Sequence, residues 1–356
     1  MRRTLTMAAA VIVALALLDL AVALLLSQAR PGLPLARLAP LATYFEYGRS
    51  VPGKIARWKD DPDAPGNLLA VAWIPDIVAD STARFAEAPL GRTVRGYGMS
   101  FSNNILEQAA PLRPDLALDL HAGPGAPANF ALALFEADRA NRAPGDVVVL
   151  GVLASAVPAL GALTNATWVF EQPAPFTYPI YRADGDVVVP IVRSLDDHLA
   201  LEADPEAAAA WAAQLAREDV FYGWQAFAMP WLDASPFARL VRRTLAARHL
   251  AEVRRAVAAG KAFPVAETIL GIVERFERMA RADGQVPIVL LIQTRDPRDV
   301  DLAALVGPAL ARRGVTVLAT ADVVDVRDMR SFVADGHYAP ARDAELGRAF
   351  AALLPR

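Results

Sequence analysis

The chain has 356 residues, no cysteine and a formal net charge of −3. That charge leaves no basic footprint for nucleic acid, and without Cys a disulfide framework, a thiolate nucleophile and a Cys-ligated metal are excluded. No zinc-finger or Walker-type motif occurs, nucleic acid is not an expected partner, and neither a cofactor nor a metal is expected.

Arg2 and Arg3 precede an almost unbroken apolar run over residues 7–26. About twenty residues make a helix of about 30 Å, long enough to cross a bilayer. A secretory signal has a shorter apolar core of about 7 to 15 residues, so the run reads as an anchor in preference to a signal cleaved after Leu26-Ser27-Gln28-Ala29. The positive N-terminal flank predicts a cytoplasmic N-terminus in the inner (cytoplasmic) membrane, with the remainder on the periplasmic side, an asymmetry that Arg30 and Arg37 reduce. Asp19 is out of place in such a run, because a carboxylate near mid-membrane costs roughly 2.5–3.5 kcal/mol. Either it pairs with another membrane subunit or its aliphatic neighbours outweigh it.

Residues 31–40 are Pro-rich and read as a juxtamembrane spacer, 44–58 as a helix and 68–74 as a strand. Then strands and helices alternate: strand 93–97, helix 100–109, strand 116–120, helix 129–139, strand 146–152. Such alternation builds a three-layer α/β fold on a parallel sheet. From about residue 173 to 265 the pattern is interrupted. Segments 177–182 and 187–192 flank Asp184-Gly185, a tight-turn signal, and predict a hairpin. Helices follow at 205–217, capped by Asp204, and at 235–259, ended by Gly260. The aromatic group Phe221, Tyr222, Trp224, Phe227 and Trp231 reads as the insertion's own small core in preference to a sugar-stacking platform. Alternation resumes with helix 266–283, the doubly apolar strand 286–292, helix 301–313, strand 316–320 and helix 343–354. The chain thus divides into an anchor at 1–29, a spacer and helix at 30–60, and an α/β domain at 61–356 with a helical and hairpin insertion.

Gly98-Met99-Ser100-Phe101-Ser102 puts a hydroxyl at a strand-to-helix turn, and Asp335-Gly336-His337-Tyr338 puts a carboxylate and an imidazole two residues apart. A Ser hydroxyl is a poor nucleophile unless a neutral imidazole takes its proton as attack begins. In an extended segment residues i and i+2 point the same way, so Asp335 can reach the Nδ1 edge of His337, and Pro340 keeps Ala339 out of the α region. Ser100 alone also fits a plain helix N-cap. The loops carrying Ser100, Gly123 and Ser155 follow three successive strands, at the sheet edge where α/β folds bind ligands. His198, beside Asp196 and Asp197, and His249, in an Arg-rich helix, read as solvated surface. His121 either lines the pocket or is structural.

This order of motifs resembles the SGNH/GDSL hydrolase superfamily, and the Asp-x-His spacing followed by an aromatic residue looks more like its alginate O-acetyltransferase-like branch than its commoner esterase branch. The resemblance spans roughly residues 90–356. It implies an SGNH-like fold in which Ser100 is the nucleophile, His337 the base and Asp335 the acid that orients it. The oxyanion would be held by the N–H groups of Ser100 and of Gly123 or Gly125, with Ser155 standing in for the family's Asn. Two departures stand out: Met99 occupies the usual Asp position, and Gly151-Val152-Leu153-Ala154-Ser155 replaces the Gly-x-Asn-Asp block. One lost oxyanion donor typically costs about 2.7–4 kcal/mol of barrier. The function implied is an exported, membrane-anchored O-acetyltransferase of a cell-surface or secreted polysaccharide, working with other membrane subunits of an export or acetylation complex. The alternatives are a carbohydrate acetyl-esterase and a non-catalytic SGNH-like binding or assembly subunit of polysaccharide export.

Overall fold

A computed structural model describes residues 2–29, 32–64, 66–87 and 92–355. Arg30 and Pro31, at the start of the expected spacer, lie outside the described residues. Contacts divide the chain into two compact units: Met1–Leu69, Ala166–Pro175 and Phe221–Glu252 form one, while Ala70–Asn165, Phe176–Val220 and Val253–Arg356 form the other.

The second unit is α/β. Its strands β1 (Thr93–Gly98), β2 (Ala117–Ala122), β3 (Val147–Leu153), β6 (Val286–Ile292) and β7 (Val317–Ala319) make a five-stranded sheet in the order β2-β1-β3-β6-β7. Every pairing in it is parallel. β3 is buried along its whole length and β6 at all but its first residue, as their apolar runs require of strands covered on both faces. A separate antiparallel pair, β4 (Ile180–Tyr181) with β5 (Val187–Val188), turns at Gly185 where the hairpin was expected.

β1 is fully buried although it carries Arg95 and Tyr97. Register explains how. Arg95 lies opposite Asp119 and Tyr97 opposite His121, and the two-residue period of a strand puts all four on one face. The Arg95 guanidinium donates to Asp119 at 2.7 Å and Asp146 at 3.0 Å, with Asp138 at 3.7 Å. Tyr97 donates to Asp138 at 2.7 Å and stacks on His121, whose Nε2 is 2.9 Å from Asp119. His121 is therefore a buried structural residue. Burial and the neighbouring Asp138 charge push the Tyr97 hydroxyl well above its ordinary pKa.

Residues 68–74 are not a strand. Asn67 closes a turn by accepting the Leu69 N–H at 2.9 Å, Ala72 takes a positive φ, and a helix starts at Ile74 with Pro75 in its first turn, where no donor is needed. That helix, Ile74–Glu87, sends Ser81 and Arg84 to Asp119 at 3.0 and 2.9 Å. The final helix starts at Pro340, three residues earlier than expected, because proline at the first position has the φ a helix needs.

In the first unit the N-terminal helix Arg2–Ser27 contains a span, Thr4–Ser27, long and apolar enough to cross a membrane. The helix expected at 44–58 is two, Ala39–Glu46 and Val51–Asp60, each with Pro in its first turn. Ser50 caps the second by accepting the Gly53 N–H, and its own hydroxyl donates to Asp233 at 2.6 Å. Val51, Ala166, Phe170, Ala226 and Ala246 form this unit's core, with Ile55, Phe227 and Leu250 packed against it. Phe221 is also buried, but Trp224 and Trp231 are 60% and 71% exposed, so the aromatic group is only partly a core. Asp19 finds its partner within the chain: its Oδ1 accepts the Phe237 N–H at 2.9 Å.

Arg95→Met removes the cation that three buried carboxylates share. Breaking a buried pair typically costs about 3–5 kcal/mol, so the urea midpoint should drop markedly at neutral pH. A loss below about 1 kcal/mol would show that Arg84 and His121 balance the cluster without Arg95.

Candidate active site

Strand order reverses between β1 and β3, and the chain leaves the carboxyl end of β1 at that point. Ser100 is the first residue of the helix Ser100–Ala109 that follows, with Met99 extended ahead of it. The turn is fixed from inside: the buried Ser102 hydroxyl accepts the Met99 N–H at 3.0 Å and donates to the Met99 carbonyl at 2.6 Å. Met99 is fully buried, filling apolar space rather than presenting a carboxylate to solvent.

His337 reaches Ser100 from the far end of the sequence. The helix Pro340–Leu353 packs on Ser100–Ala109, and at Gly347 the two approach so closely that a Cβ would stand 2.6 Å from Gln108 Cβ and 3.0 Å from Ala109 N. The loop just before Pro340 is held by antiparallel bridging of Phe332 with Tyr338. Within that loop Asp335 and His337 meet through a turn, not along the extended segment expected. Gly336 takes φ +97°, a left-handed value that glycine adopts without strain, and the His337 N–H donates to Asp335 Oδ1 at 3.0 Å. Ser100 Oγ then lies 2.6 Å from His337 Nε2, and His337 Nδ1 lies 3.2 Å from Asp335 Oδ1. With Nδ1 protonated toward Asp335, Nε2 is the acceptor that Ser100 needs. The His337 N–H, then its side chain, hold the Asp335 carboxyl below the usual carboxylate range.

Supports that the motifs did not reveal surround this chain of contacts. Phe101 stacks on the imidazole with centroids 4.5 Å apart, and its place beside Ser100 is the one signal for it in the sequence. Arg295 donates to the Val333 and Ala334 carbonyls at 3.4 and 3.3 Å. The Tyr338 hydroxyl donates to the Gln293 carbonyl and pairs with Thr320 Oγ1 at 2.8 Å, tying the loop to the ends of β6 and β7. The site is open: the His337 and Asp335 side chains are 31% and 68% exposed.

The expected oxyanion donors fare differently. The Ser100 N–H belongs to the first turn of a helix, whose amides have no intrahelical acceptor and carry the positive end of the dipole. Gly123 is not available as a donor, contrary to expectation, because its N–H donates to the Gly98 carbonyl at 3.1 Å and extends the β1–β2 ladder. Gly125 is exposed at the tip of that turn with φ +58°, and Ser155 is exposed at the start of the 3-10 helix Ala154–Gly161. His198 and His249 are also corrections. His198 packs at a tilt against Trp73, with ring centroids 5.9 Å apart, and burial pushes its pKa down to about 4, while His249 Nε2 lies 3.0 Å from the Phe221 carbonyl.

Asp119, His121 and Asp138 bring ligand-type atoms within 4.8 Å of one another, the set among the described residues with metal-ligand spacing. Arg95 already supplies the positive charge there, so the carboxylates are balanced without an ion. Comparison with family models, with curated proteins and with solved structures finds no match to the chain.

Asp343, buried in the first turn of the last helix, has its pKa raised to about 6 by burial, while the His337 charge and a hydrogen bond with Asn104 pull the other way. A carboxyl raised in the folded state favours folding fully below about pH 4 and loses that contribution as pH climbs through about 6. Asp343→Asn should therefore stabilise the protein at pH 8, by of order 2 kcal/mol, with the gain vanishing by pH 4. Urea titrations at the two pH values check this; equal gains at both would remove burial as the cause.

Proposed function

We propose that this chain is a serine acyl-transfer enzyme of the SGNH type, anchored by its N-terminal helix and exported to the periplasmic side of the inner membrane. The observation that carries the reading is the line of contacts Ser100–His337–Asp335 at the point of the sheet where strand order reverses, the place where α/β folds bind ligands. Ser100 Oγ attacks the carbonyl of an acyl ester while His337 Nε2 takes its proton. The imidazolium is held by Asp335 and returns the proton to the departing alkoxide, leaving acyl-Ser100. An acceptor hydroxyl, deprotonated by His337, then attacks the acyl carbonyl, and the Ser100 Oγ bond breaks as Ser100 takes that proton back from His337. The Ser100 N–H at the helix N-terminus stabilises both tetrahedral oxyanions.

An exposed triad admits a bulky acceptor such as a sugar within a polymer chain, which supports O-acetyl transfer to a cell-surface or secreted polysaccharide. Water as acceptor gives the esterase reading with every earlier step unchanged. The engaged Gly123 N–H favours the third reading, a binding or assembly subunit with an incomplete oxyanion hole.

A fluorophosphonate probe on the full chain in detergent separates catalysis from binding. Wild type should be labelled and Ser100→Ala should not, with circular dichroism unchanged; Asp335→Asn should label at least tenfold more slowly, about 1.4 kcal/mol of lost transition-state stabilisation. An unlabelled wild type would leave the binding subunit. A periplasm-dependent reporter fused after Arg356 should be active, since positive charge at the N-terminal flank holds that end inside; activity of a cytoplasm-dependent reporter instead would reverse the orientation.

A further inference from the structure

The N-terminal helix is not a bare tether. Residues 4–18 are exposed all round, whereas Asp19, Val22, Ala23 and Leu26 form a half-buried stripe at the i, i+3, i+4, i+7 spacing of one helix face. Protein therefore lies alongside this helix from Asp19 onward. The contact at its deepest point is the hydrogen bond from the Phe237 N–H to Asp19, at the start of the helix Pro236–Ala258.

Helix geometry turns that contact into a depth. The apolar span is 24 residues long, Thr4–Ser27, and a hydrocarbon core of about 30 Å takes up about twenty of them. Even if the core begins at Leu5 and ends at Leu24, Asp19 remains about 7 Å inside its edge at 1.5 Å per residue. The Phe237 amide shares that depth, which brings the residues flanking it in sequence within reach of the boundary between hydrocarbon and headgroups. They are suited to it. Met229 is 39% exposed, Trp231 71%, Val241 60% and Leu245 39%. Val241, Leu245 and Arg248 share one stripe, which Arg248, paired with Glu252 at 3.0 Å, closes with charge. About a third of a turn round the helix, Arg242 and Ala246 are both buried. Tryptophan at such a boundary buries its ring and keeps its N–H near water and headgroups.

We propose that the first unit is seated in the lipid–water interface of the bilayer crossed by the N-terminal helix, with Trp231, Val241 and Leu245 in contact with lipid. The inference rests on reading that helix as a membrane span, and it makes the unit an interfacial platform rather than a domain on a free linker. Lipid is the occupant because the Asp19 contact holds the start of the helix Pro236–Ala258 at the depth of the span.

The test uses tryptophan. Of the chain's six, Trp58, Trp73, Trp168 and Trp211 are buried, and Trp224 and Trp231 are exposed. Full-length protein is reconstituted into phosphatidylcholine–phosphatidylglycerol vesicles, plain or with acyl chains brominated, and floated on a gradient. Flotation with vesicles, quenching of emission by the brominated lipid, and loss of most of that quenching in Trp231→Phe are the expected results. Flotation without bromine quenching, or quenching unchanged in Trp231→Phe, would overturn the platform and leave the anchor standing. Iodide shielding that grows with protein concentration but without bromine quenching would assign the surface to a second copy and overturn it too. Failure to float would overturn the span itself.

Discussion

In the α/β unit the last helix packs so tightly on the helix that begins with Ser100 that at Gly347 any side chain would run into the backbone of Gln108 and Ala109. The placement of His337 relative to Ser100 depends on that contact. The loop carrying Asp335 and His337 ends where the last helix begins, so the distance between the helices sets the distance between imidazole and hydroxyl. Two residues separated by 237 positions meet at 2.6 Å because a glycine lets two helices pack tightly. The loop's shape is secured separately, by Gly336 at positive φ and by Tyr338 bonded to the ends of β6 and β7.

Burial of Arg95 is the second constraint. A guanidinium in the middle of a buried strand is tolerated only where carboxylates and carbonyls satisfy its donors, and β2 and the segment before β3 provide them. Pairing β1 with β2 one residue out of register would turn Asp119 and His121 to the other face and leave Arg95 unbalanced. The cluster thus pins the register of the edge strand and the position of β1, from whose end Ser100 projects. It does so with groups that taken singly resemble catalytic or metal-binding residues: burial of the whole set, with the cation already inside, gives them a structural role.

Asp19 shows the same logic in an apolar setting. An aliphatic helix with a carboxylate two-thirds of the way along looks like an anchor with a flaw. The free amide at the start of another helix is a partner for it, positive by its dipole and lacking an intrahelical acceptor. The pairing joins the N-terminal helix to the rest of the first unit.

Much of this was written locally in the chain. Length and apolarity determined the N-terminal helix. Alternating apolar runs and helix-forming segments determined the parallel sheet, and Asp204 and Asp301 the starts of two helices, because each depends on neighbours within a few residues. The residue types of a serine site were legible too, as Ser100, Asp335 and His337 in their order. Tertiary structure decided what those residues touch. It spent the Gly123 N–H on the Gly98 carbonyl, enclosed His121 among carboxylates, replaced the expected strand before β1 with a turn that leads into a helix, and gave Asp19 a partner 218 residues away. Periodicity and capping are short-range and show in the sequence, whereas satisfaction of a buried polar group depends on which distant group folding brings within 3 Å.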